Sequence, residues 1–140
     1  MVLVDSSIWI GALRRDGDVI TKLGLKGLLD EYEAAWCSVV KGEVMGGARE
    51  DERKMLTQRF EVVPYYQVTE KDWDWAVVAA WRLQAKGMVV KLTDLLVAAV
   101  ATRCALRVYA EDKHFEMMRE HLGLRLYKPG YNGMYNDEEG

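Results

Sequence analysis

The sequence predicts an α/β fold: a three-layer α/β/α sandwich around a central, mostly parallel sheet of four or five strands. Two observations predict it. Strand-like runs alternate with helical periodicities along the chain, and four of the five candidate strands are nearly continuous apolar runs. A strand apolar on both faces is covered on both faces, and strand–helix alternation is the pattern of parallel crossovers. The 140 residues, half of them hydrophobic, suffice for one core. Residues 1–128 read as one domain, and 129–140 as a loosely ordered C-terminal tail.

Each element has its own warrant. Met1 to Val4 is apolar and β-branched, a short buried strand. A helix from Ser6 or Ser7 places Ile8, Trp9, Ala12 and Leu13 on one face, until "RRDGD" breaks it. Residues 18–31 carry leucines at helical spacing, interrupted by Gly24 and Gly27. "EAAWCSVV" (33–40) reads as a second strand, and a helix after Ser38 carries Glu43 before Gly46 and Gly47 shorten it. Residues 50–60 form a short charged helix, and "FEVVPYY" (60–66) a third strand. Thr69 and Asp72 have the S/T-x-x-D form of a helix start, and Gly87 stops that helix. Its Trp73, Val77, Ala80 and Trp81 share a face, which core packing explains by default and a dimer or protein-partner surface, or stacking on nucleic-acid bases, explains otherwise. "LLVAAVATRCA" after Asp94 is almost wholly apolar, hence a buried helix. "LRVYA" (106–110) is a fourth strand, 113–121 a helix, and "LRLY" (124–127) a possible fifth strand.

The formal net charge of −3 provides no global basic field. That argues against a purely nucleic-acid-binding module, but not against an enzyme that holds phosphate through a metal. Cys37 and Cys104 lie in apolar stretches outside any C-x-x-C and read as buried reduced thiols. No basic segment precedes a long apolar one at the N-terminus, and no run approaches the ~20 apolar residues of a membrane span. A cytoplasmic protein is expected.

Four acids fall at element ends. Asp5 follows the first strand, Glu43 lies in the helix after the second, Asp94 begins the buried helix, and Asp112 follows the fourth strand. Each has a plain reading: Asp5, Asp94 and Asp112 as helix caps or turn residues, Glu43 as a solvated helix residue. Together they predict something more, because strand ends of a parallel sheet share an edge where ligands bind. Clustered carboxylates repel unless a cation neutralises them, and oxygen ligands favour Mg²⁺ or Mn²⁺. Such a site suits hydrolysis of a phosphodiester.

The same residues resemble a known family. "VLVDSSIWI", "SVVKGEVMGG", "LTDLLVAAVA" and "VYAEDKHFEMM" are similar, in order, to the four motif elements of PIN-domain ribonucleases, specifically VapC-type toxins of toxin–antitoxin pairs. The resemblance covers residues 1–127. It implies a PIN-like sheet sandwiched by helices, an acidic pocket for one or two Mg²⁺ or Mn²⁺ ions, endonucleolytic cleavage of RNA, and a homodimer. It also implies a cognate antitoxin that blocks the site. By this resemblance Asp5, Asp94 and Asp112 are metal ligands, Glu43 is a ligand or activates water, and Ser7 supports Asp5. In one departure, Ala110 stands where the family has a hydroxyl residue two places before the last aspartate. That puts the role of Asp112 in question and brings Glu111 and Glu116 into consideration.

Lys41, Lys91 and Lys113 lie within three residues of a site acid and are candidates for holding RNA phosphate, or ordinary solvated lysines. His114 beside Asp112 is a further candidate. Two rival readings are a receiver-like domain, which lacks its aspartate after "FEVVPYY", and a catalytically degenerate PIN module that binds RNA or protein without cleavage.

Overall fold

A computed structural model describes residues 1–138. Its sheet has four parallel strands: β1 (Val2–Val4), β2 (Ala34–Cys37), β3 (Tyr65–Tyr66) and β4 (Arg107–Tyr109). Around them run α1 (Ser6–Leu13), α2 (Val19–Asp30), α3 (Ser38–Gly46), α4 (Arg53–Phe60), α5 (Glu70–Gln84), α6 (Leu92–Arg103) and α7 (Lys113–Leu122). Every residue of β1, β2 and β4 is buried, although successive side chains point to opposite faces. Helices therefore cover both faces, as the continuous apolar runs require. In α6 all residues from Asp94 to Ala101 are buried, so that helix is enclosed on every side.

The strand order is β3-β2-β1-β4. The chain steps outward from β1 to β3, then returns to the other side of β1 as β4. This reversal opens a crevice at the carboxyl ends of β1 and β4.

Three expected elements differ. "LRLY" joins the sheet only through an isolated bridge between Leu126 and Val108, so the sheet has four strands. The third strand begins after Pro64 rather than at Phe60. Pro64 has no N–H for the ladder, and its carbonyl accepts from Trp36 N. Phe60 ends α4 and stacks on Trp36, with ring centroids 3.6 Å apart. The second strand stops at Cys37, because Ser38 opens α3 and its Oγ accepts from Val68 N.

The indoles of α5 are also placed differently. Trp73 and Trp81 are 42% and 64% exposed, and Val77 is exposed with them. The buried face is instead Asp72, Ala76, Ala79 and Leu83, whose small alanines let α5 lie close on α6. Asp72 joins Thr69 in a capping box and receives two hydrogen bonds from Arg103, at 2.8 and 3.0 Å. Burial alone would raise its pKa; the Arg103 and Thr69 bonds hold it below the ordinary carboxylate range.

In the C-terminal stretch Gly133 is buried and Tyr135 half-buried, whereas Asp137 and Glu138 are exposed; Glu139 and Gly140 lie outside the described residues. Residues 129–135 cross α2 where Gly24 and Gly27 leave room. A Cβ on Gly27 would sit 2.2 Å from Gly133 O. Gly133 itself has φ +78°, and a Cβ there would lie 2.4 Å from the Leu23 carbonyl carbon. The buried Arg107 guanidinium then donates to the carbonyls of Asn136 and Glu138, each at 3.0 Å. The glycines that weaken α2 as a helix thus admit the strap. No helix among the described residues is long and apolar enough to cross a membrane.

Candidate functional site

A cleft of about 510 Å³ opens at the crevice between the ends of β1 and β4, lined by Asp5, Glu43, Asp94 and Asp112 among others. Four acids from four separate stretches of chain therefore meet on one surface. Asp5 is there because β1 ends and α1 begins on it. Its Oδ2 accepts from Ser7 N at 3.2 Å and Ser7 Oγ at 2.7 Å. Asp5 is thus the N-cap of α1 and also lines the cleft. Its other oxygen, Oδ1, is buried with no hydrogen-bond partner among the described residues.

Glu43 projects from α3 and accepts from Ser6 Oγ at 3.0 Å. Asp94 is not the cap of α6: Lys91 occupies that position, and Asp94 is the third helical residue. From the first turn it points into the cleft, where Oδ2 lies 3.1 Å from His114 Nδ1. Asp112 caps α7, accepting from His114 N at 2.9 Å, and its Oδ1 also lies 3.4 Å from His114 Nδ1. Ligand atoms of Asp94, Asp112 and His114 lie within 4.8 Å of one another. The imidazole thus sits between two carboxylates.

Burial pushes the Asp5 carboxyl up to about 6; the Ser7 bonds oppose this, and the charges of Asp94 and Glu43 add to it. Asp94 is also raised by burial and by Asp112, against the lowering effects of the His114 bond and of Lys91. A buried carboxylate with a bare oxygen, beside acids that repel it, is an arrangement a cation would relieve.

Among the other expected residues, Ser7 and Lys91 line the cleft, whereas Lys41 and Lys113 do not. The Lys41 ammonium lies 5.5 Å from the centre of the Tyr65 ring, beside β3. Glu116 is paired with Arg119 and Lys128, while Glu111 lines the cleft and bonds Thr21 Oγ1. The hydroxyl absent at Ala110 leaves Asp112 fixed instead by His114. Sequence reasoning missed Ser6 as the partner of Glu43, and missed Arg14, Asp16, Asp18 and Thr21 on the cleft wall. "RRDGD" held the signal: α1 has only eight residues, so the loop that ends it stays near the site that begins it. Cys37 is buried, with its thiol pushed by burial to about 11, and Cys104 is half-buried rather than buried.

No protein-family model matches the chain. A VapC ribonuclease of Mycobacterium bovis and ribonuclease VapC11 of Mycobacterium tuberculosis are each 28% identical over 123 residues, 84% of this chain and 91% of theirs. Among solved structures, VapBC2 of Rickettsia felis, bound to a promoter DNA fragment, aligns with a TM-score of 0.70 at 18% identity. That match covers 89% of this chain and 96% of the other. FitAcB of Neisseria gonorrhoeae aligns with a TM-score of 0.68 at 18% identity, over 81% of this chain and 88% of that one. Along most of its length the chain is thus similar in sequence to proteins named VapC ribonucleases, and it shares the fold of the solved VapBC2 structure.

Proposed function

We propose that the chain is an endoribonuclease that hydrolyses RNA phosphodiester bonds with Mg²⁺ or Mn²⁺, as the toxin of a toxin–antitoxin pair. One observation carries the reading: Asp5, Asp94 and Asp112 line one cleft at the strand-order reversal, with an Asp5 oxygen buried and unpartnered. The curated relatives named as VapC ribonucleases support the activity. Solved toxin–antitoxin structures with this fold support an antitoxin partner. A second copy of the chain completes the reading as a homodimer.

The donor set fits a hard divalent cation: carboxylate oxygens, with one imidazole beside them. Asp5, Asp94 and Asp112 would hold it. When bound, such an ion polarises the phosphodiester and makes water a competent nucleophile at neutral pH. Ser7 keeps Asp5 turned toward the cleft. His114 fixes Asp112 through its backbone N–H and Asp94 through its ring. Glu43, held by Ser6, accepts the proton of the attacking water, and Lys91 holds the substrate phosphate against the acids.

The test is purified protein on RNA with Mg²⁺, Mn²⁺ or EDTA, alongside Asp5→Asn. Metal-dependent internal cleavage that Asp5→Asn abolishes is the expected result. No cleavage with any metal, but retained RNA or antitoxin binding, would make the chain a degenerate binding module.

A further inference from the structure

A second cavity, about 980 Å³, adjoins the acidic cleft. The two share Ile10, Arg14, Asp16 and Glu43, so they form one continuous surface. Their chemistry differs: the second is rimmed by Arg14, Arg15, Lys22 and Arg49 over an aliphatic floor that includes Leu13 and Val44. Arg49 is paired with Asp51 and Glu52. Arg14, Arg15 and Lys22 make no side-chain hydrogen bond or ion pair among the described residues, and Arg14 and Arg15 are exposed. Three unpaired cations thus converge beside an acidic site, in a chain whose net charge is −3.

We infer that this groove is the RNA-binding arm of the site, in which Arg14, Arg15 and Lys22 hold consecutive backbone phosphates of the strand whose scissile bond lies at Asp5 and Asp94. The inference rests on the nuclease reading above. Charge complementarity and continuity with the acidic cleft select RNA: a strand entering the cleft must leave it along a neighbouring surface, and this one sets the unpaired Arg14, Arg15 and Lys22 against Asp16 and Glu43, with Glu52 taken up by Arg49. No Phe, Tyr or Trp lines the groove, so it offers no stacking platform for bases. Contacts here position the strand without reading its sequence. They also place phosphate against charge that the acids alone would repel.

Salt dependence of binding measures such contacts directly, since each phosphate contact on single-stranded nucleic acid adds about 0.7 to the slope of log K against log[salt]. Binding of a short fluorescent single-stranded RNA is measured in EDTA, in an Asp94→Asn background so that nothing is cut. Arg14→Gln/Arg15→Gln/Lys22→Gln should flatten the slope by about 2. Raising salt from about 50 to about 200 mM would then weaken the parent roughly twentyfold more than the triple variant. The loss should be equal for adenine and uracil homopolymers. Lys71→Gln/Arg82→Gln/Lys86→Gln, on α5 and in the turn just after it, removes the same charge away from the groove and should leave the slope unchanged. Single variants, each flattening the slope by about 0.7, replace the triple should it melt early. An unchanged slope in the groove variants, an equal effect of the α5 variants, or no RNA binding by the parent overturns the inference. So does displacement of RNA by poly-glutamate charge for charge, which would assign the groove to an acidic peptide. Cleavage by the wild-type protein with an unchanged slope defeats this inference alone; absence of cleavage defeats the nuclease reading.

Discussion

Asp5→Asn should stabilise the metal-free protein while abolishing its activity. The carboxyl is 3% exposed, and its pKa is raised from 3.8 to about 6. Below both values it is protonated whether the chain is folded or not, and no penalty exists. As pH rises through the window from 3.8 to about 6, the unfolded chain releases the proton first, so the folded state loses ground. Above the window the accumulated cost is about 3 kcal/mol, at 1.36 kcal/mol for each pKa unit. Asparagine removes the charge but keeps an oxygen for Ser7, and serves as well as aspartate at a helix N-cap. The variant should therefore melt higher near pH 8 in EDTA, by up to about 10 °C, and match wild type near pH 4. Mn²⁺ should raise the wild-type melting temperature more than the variant's, because an ion bound only to the folded state adds stability by mass action. Thermal melts across pH, with EDTA or Mn²⁺, read all of this. Equal melting near pH 8 in EDTA, or a less stable variant, would refute the argument that Asp5 is held as a strained buried anion.

Arg103→Ala should cost about 3 kcal/mol in a denaturant titration, because it strands the buried Asp72 carboxylate. The lowered pKa of Asp72 supports the fold above its unfolded value and is lost as pH falls through the folded one, so the variant's stability should also depend less on acid. Gly133→Ala should cost about 2 kcal/mol or more and expose the C-terminal strap to proteolysis, since its Cβ meets the Leu23 backbone at a positive φ. His114→Ala removes a bond that lowers the Asp94 pKa, so the acidic limb of the pH–rate profile should move to higher pH.

Most of the architecture is legible in the chain because burial on both faces writes itself as unbroken apolar runs. Val2 to Val4 and the helix after Asp94 could hardly be anything but enclosed. The acids are legible for a related reason: Asp5 and Asp112 stand just beyond apolar strands and Asp94 in the first turn of an apolar helix, where carboxylates stand out, and all three line one cleft. What escaped the reading depends on partners distant in sequence. Trp73 and Trp81 look like core by composition, but the alanines of α5 win the contact with α6 because close approach favours small side chains. The strap depends on Gly24, Gly27 and Arg107, none of which announces a partner more than a hundred residues or some thirty residues away. Lys41 and Lys113 are near site acids in sequence, yet neither lines the cleft. Arg14 and Arg15 sit in "RRDGD", which reads first as a helix breaker, and Lys22 on α2 reads as an ordinary solvated lysine.

The most direct test of the account is an anomalous difference map from crystals grown with Mn²⁺. The account predicts a strong peak ligated by Asp94 and Asp112, with the bare Asp5 oxygen turned to it. Well-ordered carboxylates with no peak between them, under conditions where the protein cuts RNA, would contradict it.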